Sequence, residues 1–173
     1  MTAKIAKRLA WAVETMQVQP DDRVLEIGCG AGVAVGLVCG RLGAGRITAI
    51  DRSEAMTALA SRRKREHVAS GKAVIRTAAL HQLNAGGERF DRVLAVNVGL
   101  FRAHAAVEAA ALRRLLAPGG RLYLVHQPPV ASKTPRLADE TVRLLAAHGF
   151  RVREVLRREM EPAPAVCVIA DHA

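Results

Sequence analysis

Between Val24 and Gly32 the chain reads VLEIGCGAG, a carboxylate at Glu26 followed by glycines at Gly28, Gly30 and Gly32. Glycines at that spacing let a backbone turn tightly and let a ligand approach the main chain closely. The free N–H groups of a helix that follows, with its dipole, favour an electronegative ligand group. Nineteen residues beyond Gly32 stands Asp51, whose carboxylate can accept both hydroxyl hydrogens of a ribose. Asn97, His104 and His126 come later and are suited to acceptor contacts or proton transfer, since histidine titrates near neutral pH. Each also has a plainer reading as a turn or surface residue, and the sequence leaves both open. Three cysteines, Cys29, Cys39 and Cys167, form no CxxC pair and no metal-ligand spacing with histidine. They read as reduced structural thiols, and no metal site is expected.

These residues need elements to hold them. Residues 3–16 place Ile5, Leu9, Ala12 and Met16 at helical spacing. Trp11 and Met16 on that helix either pack it on the rest of the chain or cover a ligand. Arg23–Ile27 is an apolar strand, Gly28–Gly32 the turn, and an apolar helix runs on to about Leu42 before Gly43 and Gly45 end it. Arg46–Ile50 is a second strand closed by Asp51. Ser53 caps a helix that reaches about Val68, with Glu54 in its positive first turn. Ala73–Thr77 and Phe90–Val96 are the third and fourth strands, and Ala106–Leu116 is a helix. Ala117-Pro-Gly-Gly120 turns the chain into a fifth strand, Arg121–Val125. An exposed loop at Pro128 and Pro129 leads to a helix over Leu137–His148. Phe150–Leu156 and Val166–Ala170 close the chain. About nine residues separate them, too few for a helical crossover, so they form an antiparallel pair. Alternating strands and helices specify a mostly parallel sheet covered on both faces.

The chain has 173 residues and no internal repeat or linker, so it reads as one domain over 1–173, with an N-terminal helix in 1–19 and a core over 20–173. A domain of that length buries roughly 70% of its unfolded surface. Half the residues are apolar, which excludes a disordered chain. No apolar run approaches the roughly 20 residues that span a bilayer, so no membrane segment is expected. No clean apolar stretch with a small-residue cleavage site follows Lys4, Lys7 and Arg8, so no signal peptide is read and the expected location is cytoplasmic. The net charge of +10 admits anionic partners, nucleic acid among them. Its densest run is Arg62-Arg63-Lys64-Arg65, late in a helix where cations suit the dipole. Sequence-tolerant nucleic-acid binding also wants stacking aromatics, and the chain has three Phe, one Trp and one Tyr, so that support is thin.

Glu26-x-Gly28-x-Gly30-x-Gly32 followed by Asp51 resembles the class I (Rossmann-like) S-adenosylmethionine-dependent methyltransferases. The segment Leu115-Leu-Ala-Pro-Gly-Gly-Arg-Leu-Tyr-Leu-Val125 is similar to that family's fifth-strand region, and the two closing strands to its antiparallel hairpin. The resemblance covers about residues 20–170. It implies an α/β fold, a Rossmann-like, doubly wound, mostly parallel seven-stranded sheet with a C-terminal antiparallel hairpin. It implies S-adenosyl-L-methionine as cofactor. By the same resemblance Glu26 faces the methionine ammonium, and Gly28, Cys29, Gly30 and Gly32 form the turn beneath the cofactor. Asp51 holds the ribose hydroxyls, Arg52 lies beside the adenine, and Asn97 lies near the methyl group and acceptor.

The family often carries an acid after the third strand, on the adenine amine. Here the stretch is Thr77-Ala78-Ala79-Leu80, which leaves backbone groups, Ala79 and Leu80 to hold the base. Losing one charged hydrogen bond costs about 1.5–3 kcal/mol, roughly tenfold to a hundredfold in affinity. A nicotinamide or flavin dinucleotide needs G-x-G-x-x-G/A. The sixth position is Val33 counted from Gly28 and Val35 counted from Gly30, and a carboxylate at Glu26 repels a pyrophosphate.

Methyl transfer from a sulfonium is a one-step displacement. Placing acceptor and methyl in line is worth up to roughly 7–11 kcal/mol, and a general base adds about 10²–10⁴-fold where a proton must leave. Asn97, His104 and His126 are the candidate catalytic residues. Asn97-Val98-Gly99-Leu100-Phe101 lacks the paired prolines of the family's amino-methylating nucleic-acid enzymes. With no substrate domain, the loops after the fourth and fifth strands and the first helix are the places for an acceptor pocket, which favours a small molecule or a site completed by a partner chain. Two alternatives stand beside it. One is an RNA or protein methyltransferase, whose binding falls steeply with salt. The other is a cofactor-binding protein without catalysis. The sequence gives neither the acceptor nor the oligomeric state.

Overall fold

The computed structural model describes residues 6–172. Lys4 and Ile5, part of the expected first helix, lie outside them. The elements run α1 (Lys7–Met16), β1 (Arg23–Ile27), α2 (Val33–Cys39), β2 (Arg46–Asp51), α3 (Glu54–Arg63), α4 (Arg65–Ala69), β3 (Ala73–Thr77), β4 (Phe90–Val96), α5 (Ala105–Leu115), β5 (Leu116–His126), α6 (Thr134–Ala147), β6 (Phe150–Arg158) and β7 (Ala165–His172). A 3₁₀ turn, Leu80–Gln82, follows β3.

One seven-stranded sheet carries the order β3-β2-β1-β4-β5-β7-β6. The first five strands are parallel to one another; β7 runs antiparallel to both β5 and β6. From β1 the chain winds outward through β2 and β3, then returns to lay β4 on the other side of β1. That reversal opens a crevice at the carboxyl ends of β1 and β4, the switch point where ligands of open α/β sheets bind.

Alternation along β1 divides the core. Val24 packs with Trp11, Val13, Met16 and Val35 on the α1–α2 face. Leu25 and Ile27 pack with Leu112, Leu115 and Leu145 on the α5–α6 face. Glu26 shares the side of Val24, since side chains on a strand alternate with period two. Trp11 and Met16 are buried in this core. The last turn of α1 is tied to the opening of the sheet: the Met16 carbonyl accepts from Arg92 Nε at 3.1 Å, and Arg92 pairs with Asp22 at 3.4 Å.

Two stretches depart from the patterns expected. The helix after Ser53 is capped as expected, with Ser53 Oγ accepting from the Met56 N–H at 3.3 Å, but it breaks at Lys64. The piece beyond the break, α4, buries no residue, so no packing enforces continuity through four adjacent cations. The Ala117–Gly120 turn lies within β5. Leu116 pairs with Phe90 before the turn, pairing resumes at Arg121 with Arg92, and the residues between bulge out. Among the described residues no helix is long and apolar enough to cross a membrane. No cluster of His, Cys, Asp and Glu among them could hold a metal ion.

Helix α6 docks on the sheet through few large apolar groups, and Leu145 is the one with no exposure. Leu145→Ala leaves a cavity there and is expected to cost about 2–5 kcal/mol, read from urea unfolding.

Candidate functional site

The turn after β1 is shaped by backbone hydrogen bonds. The N–H groups of Gly28 and Cys29 both donate to the Ile50 carbonyl, at 2.8 and 3.0 Å, which locks the turn to the end of β2. Gly28, Gly30 and Gly32 have φ of 73°, 50° and 74°, the left-handed region that glycine enters without strain. At Gly28 there is a second reason: a Cβ would lie 2.5 Å from Val98 Cγ2. The loop after β4 therefore packs directly on this turn.

Asp51 ends β2 and faces the turn. Its Oδ2 accepts from the Gly30 N–H and its Oδ1 from the Ser53 N–H, both at 2.9 Å. A carboxylate has about four acceptor positions. Two are used here, so the side chain is fixed in place and one lone pair on each oxygen remains for a ligand diol. Arg52 is exposed next to it. Beside Asp51, past the end of β3, Ala79 is half-buried and Leu80 buried, and the Ala78 N–H donates to the Asp51 carbonyl at 3.0 Å.

Glu26 lies one residue inside the turn. Its register partners are Ala49 on β2 and Leu94 on β4, so apolar strands flank it on both sides. It is 4% exposed, and its Oε2 is buried without a hydrogen-bond partner. Burial first, and the charge of Asp51 second, push its pKa up from 4.5 to about 8. A buried acceptor left unmade costs about 1–3 kcal/mol or more. A ligand cation with N–H donors would satisfy it and return it to the charged form.

The Cys29 and Cys167 thiols are pushed up to about 12 by burial, which leaves them inert, and Cys39 is raised as well. All three are free and buried.

Asn97 follows β4 at φ 55°, a conformation asparagine tolerates. Its N–H donates to the Val125 carbonyl at 2.8 Å, and its Oδ1 accepts from the Gln127 N–H at 2.7 Å. Asn97 thus joins the loops after β4 and β5, and beside it opens a cavity of about 800 Å³. The loop from Asn97 to Arg102 forms one wall and α6 the other, with His126 between them. His126 Nε2 is 3.2 Å from Thr141 Oγ1. Burial, then the positive charge of Arg102, hold its pKa below 6.5, against a weaker opposing pull from Glu140. Its imidazole is therefore neutral at pH 7. The floor is tied to the β6–β7 turn: Gln127 Nε2 donates to the Glu161 and Ala163 carbonyls, and Thr134 Oγ1 to the Pro164 carbonyl.

The structure brings Glu26, the three glycines, Cys29, Asp51 and Asn97 to one crevice, with Ala79 and Leu80 beside Asp51. It puts His126 in the adjoining cavity. His104 stands apart: it is exposed at the start of α5, its ring 6.0 Å from that of His81, and it does not line the cavity. Sequence reasoning missed Val98, Gln127, Thr141 and the cavity cations. Gln127 carried a faint signal as the residue after His126 at a strand end.

The family model for the methyltransferase domain matches residues 24–120. The chain is similar to an uncharacterized methyltransferase, YdaC, of Bacillus subtilis (strain 168), at 25% identity over 92% of this chain and 88% of that protein. It is 35% identical to a protein-L-isoaspartate O-methyltransferase of Methylorubrum populi, over 75% of this chain and 56% of that one. The fold is similar to that of magnesium protoporphyrin IX methyltransferase from Synechocystis PCC 6803, crystallised with bound SAH. There the TM-score is 0.70 and the identity 20%, over 95% of this chain and 80% of that one.

The raised pKa of Glu26 carries a stability consequence. The folded protein holds that proton up to about pH 8, while the unfolded chain releases it near 4.5. Stability therefore falls as pH rises through that window, by at most about 5 kcal/mol at ~1.4 kcal/mol per pH unit. Glu26→Gln removes this fall. Urea unfolding without ligand is expected to find the variant gaining on the wild type from pH 5 to pH 8.5; a constant difference would mean that Glu26 is charged when buried.

Proposed function

The chain belongs to the methyltransferase-domain family, and from that premise we propose that it moves the methyl group of S-adenosylmethionine to a small-molecule acceptor seated beside Asn97. The observation that carries the reading is Glu26, a buried carboxyl with an orphaned oxygen at the base of a glycine turn. The methionine ammonium supplies the N–H donors and the positive charge that this group lacks. The free lone pairs of Asp51 suit the two ribose hydroxyls. Leu80, Ala79 and Arg52 border the adenine, in place of the acid the family often uses. Porphyrin methylation by the structural neighbour supports a small acceptor. The buried free thiols suit a reducing compartment, and we place the chain in the cytoplasm.

When bound, the cofactor supplies an already activated methyl on its sulfonium. The chain's own part is placement and proton handling. Glu26 and Asp51 fix the two ends of the cofactor. Asn97 holds the rim of the acceptor cavity in one conformation by bonding across to Gln127. His126, neutral at pH 7, takes the proton of an acceptor hydroxyl or amine as the methyl arrives. Thr141 holds the imidazole from behind.

A protein acceptor is a second reading, favoured by the 35% identity to the isoaspartate methyltransferase. Methyl transfer to an isoaspartyl peptide, with none to small molecules, would select it.

Calorimetric titration of the full chain with S-adenosylhomocysteine is expected to give micromolar affinity, with no binding of NAD. Asp51→Ala should weaken it about tenfold to a hundredfold or more, as charged hydrogen bonds are lost. No binding to a folded wild type would sink the methyltransferase reading.

Nuclear magnetic resonance of the histidine rings tests the base. The His126 midpoint is expected below 6.5, moving up toward 6.5 in Arg102→Gln. A midpoint above 7 would remove His126 from that role.

A further inference from the structure

We infer that the cavity beside Asn97 takes an acceptor with an anionic head and an apolar body, so that small organic acids or phosphate esters are the substrates rather than neutral or cationic molecules. The assignment rests on the functional reading above and narrows it.

The cavity has two chemically distinct parts. Its inner surface is mostly apolar, formed by Leu100, Leu124, Leu137 and Leu144, with His126 and Thr141 set among them. Its mouth carries Arg102 from the loop after β4, and Lys133 and Arg136 from the start of α6. The three cations come from two separate elements and converge on one opening. All three are exposed, and Glu140 is the one acid that lines the cavity with them.

None of the three is held in an ion pair with a described residue. The seven ion pairs among the described residues all use other arginines. Neither Arg136 nor Lys133 pairs with Glu140, although Arg136 stands one helical turn before it. The positive end of the α6 dipole lies at the same mouth and adds to the field. Three cations around an apolar recess suit a molecule that buries a hydrophobic body and leaves a carboxylate, sulfonate or phosphate at the rim. The volume, about 800 Å³, lies within the range of small-ligand pockets.

The test uses two fluorescent probes that share an aromatic body and differ in charge: anilinonaphthalene sulfonate and uncharged phenylnaphthylamine. Each is titrated into the full chain, with and without saturating S-adenosylhomocysteine. The sulfonate is expected to bind about tenfold or more tightly than the neutral probe. Arg102→Gln, Lys133→Gln and Arg136→Gln should each narrow that ratio by about threefold, and the triple variant should bring it near one. Arg41→Gln, on an exposed residue beyond the far end of α2, should leave it unchanged. Equal affinities in the wild type, or a preference that survives in the triple variant, would overturn the assignment. The two readings fail separately. If S-adenosylhomocysteine does not bind but the charge preference behaves as described, the anion site stands and its role as acceptor site falls. If S-adenosylhomocysteine binds and no preference is seen, only the anion assignment falls.

Discussion

A carboxyl group buried between two apolar strands organises this molecule. Glu26 sits in the middle of the sheet, next to Ala49 and Leu94, at a position where the rest of β1 demands a hydrophobic side chain. A sequence under selection for stability alone would place a valine or isoleucine there. Protonation lets the fold carry this cost, about 1–3 kcal/mol, and leaves an oxygen with no partner in the chain. The small Ala49 leaves space beside it, and the strand reversal at β1 opens that space upward into the crevice. The glycine turn is then the consequence of needing the chain to leave β1 without closing over the carboxyl.

Around this point, polar side chains work on backbone rather than on one another. Asp51 accepts the N–H groups of Gly30 and Ser53; Asn97 accepts that of Gln127. Each links the loop after one strand to a neighbouring loop or turn. Loops at a sheet edge have few ladder bonds, so a single fixed acceptor removes much of their freedom. The rim of the crevice is therefore held in one arrangement before any ligand arrives.

Much of this was legible in the sequence because it depends on local chemistry. The glycine spacing, Asp51 at a strand end, the Ser53 cap and the short connection that forces β6 and β7 antiparallel are all read within a few residues. The strand order is not local, since it depends on which side of β1 the chain chooses after β3. The break at Lys64 escaped because helical spacing continues through it, and only the structure shows that α4 buries none of its residues. The loops after the fourth and fifth strands were expected to border a pocket, and they do, but its cationic rim and the wall from α6 escaped for a related reason. Arg102, Lys133 and Arg136 are ordinary surface residues in one dimension and converge only when the loop after β4 faces α6. His104 and His126 looked equivalent in sequence, each just past a strand. The structure separates them, because β5 runs on to include His126 whereas a seven-residue loop carries His104 away to α5.

The bonds from Gln127 and Thr134 to the carbonyls of Glu161, Ala163 and Pro164 join the floor of the cavity to the closing hairpin. The parallel half of the sheet holds the crevice at Glu26 and Asp51, while the antiparallel half supports the recess at His126. The crevice and the recess meet at Val98 and Asn97. Such a division makes the chain modular in an evolutionary sense. Insertions or replacements in the β6–β7 turn and the start of α6 can recast what the recess admits without disturbing Glu26 or Asp51. Lineages descended from such a scaffold can diversify their chemistry by rewriting one corner, and the hairpin at the end of the chain is where that drift should concentrate.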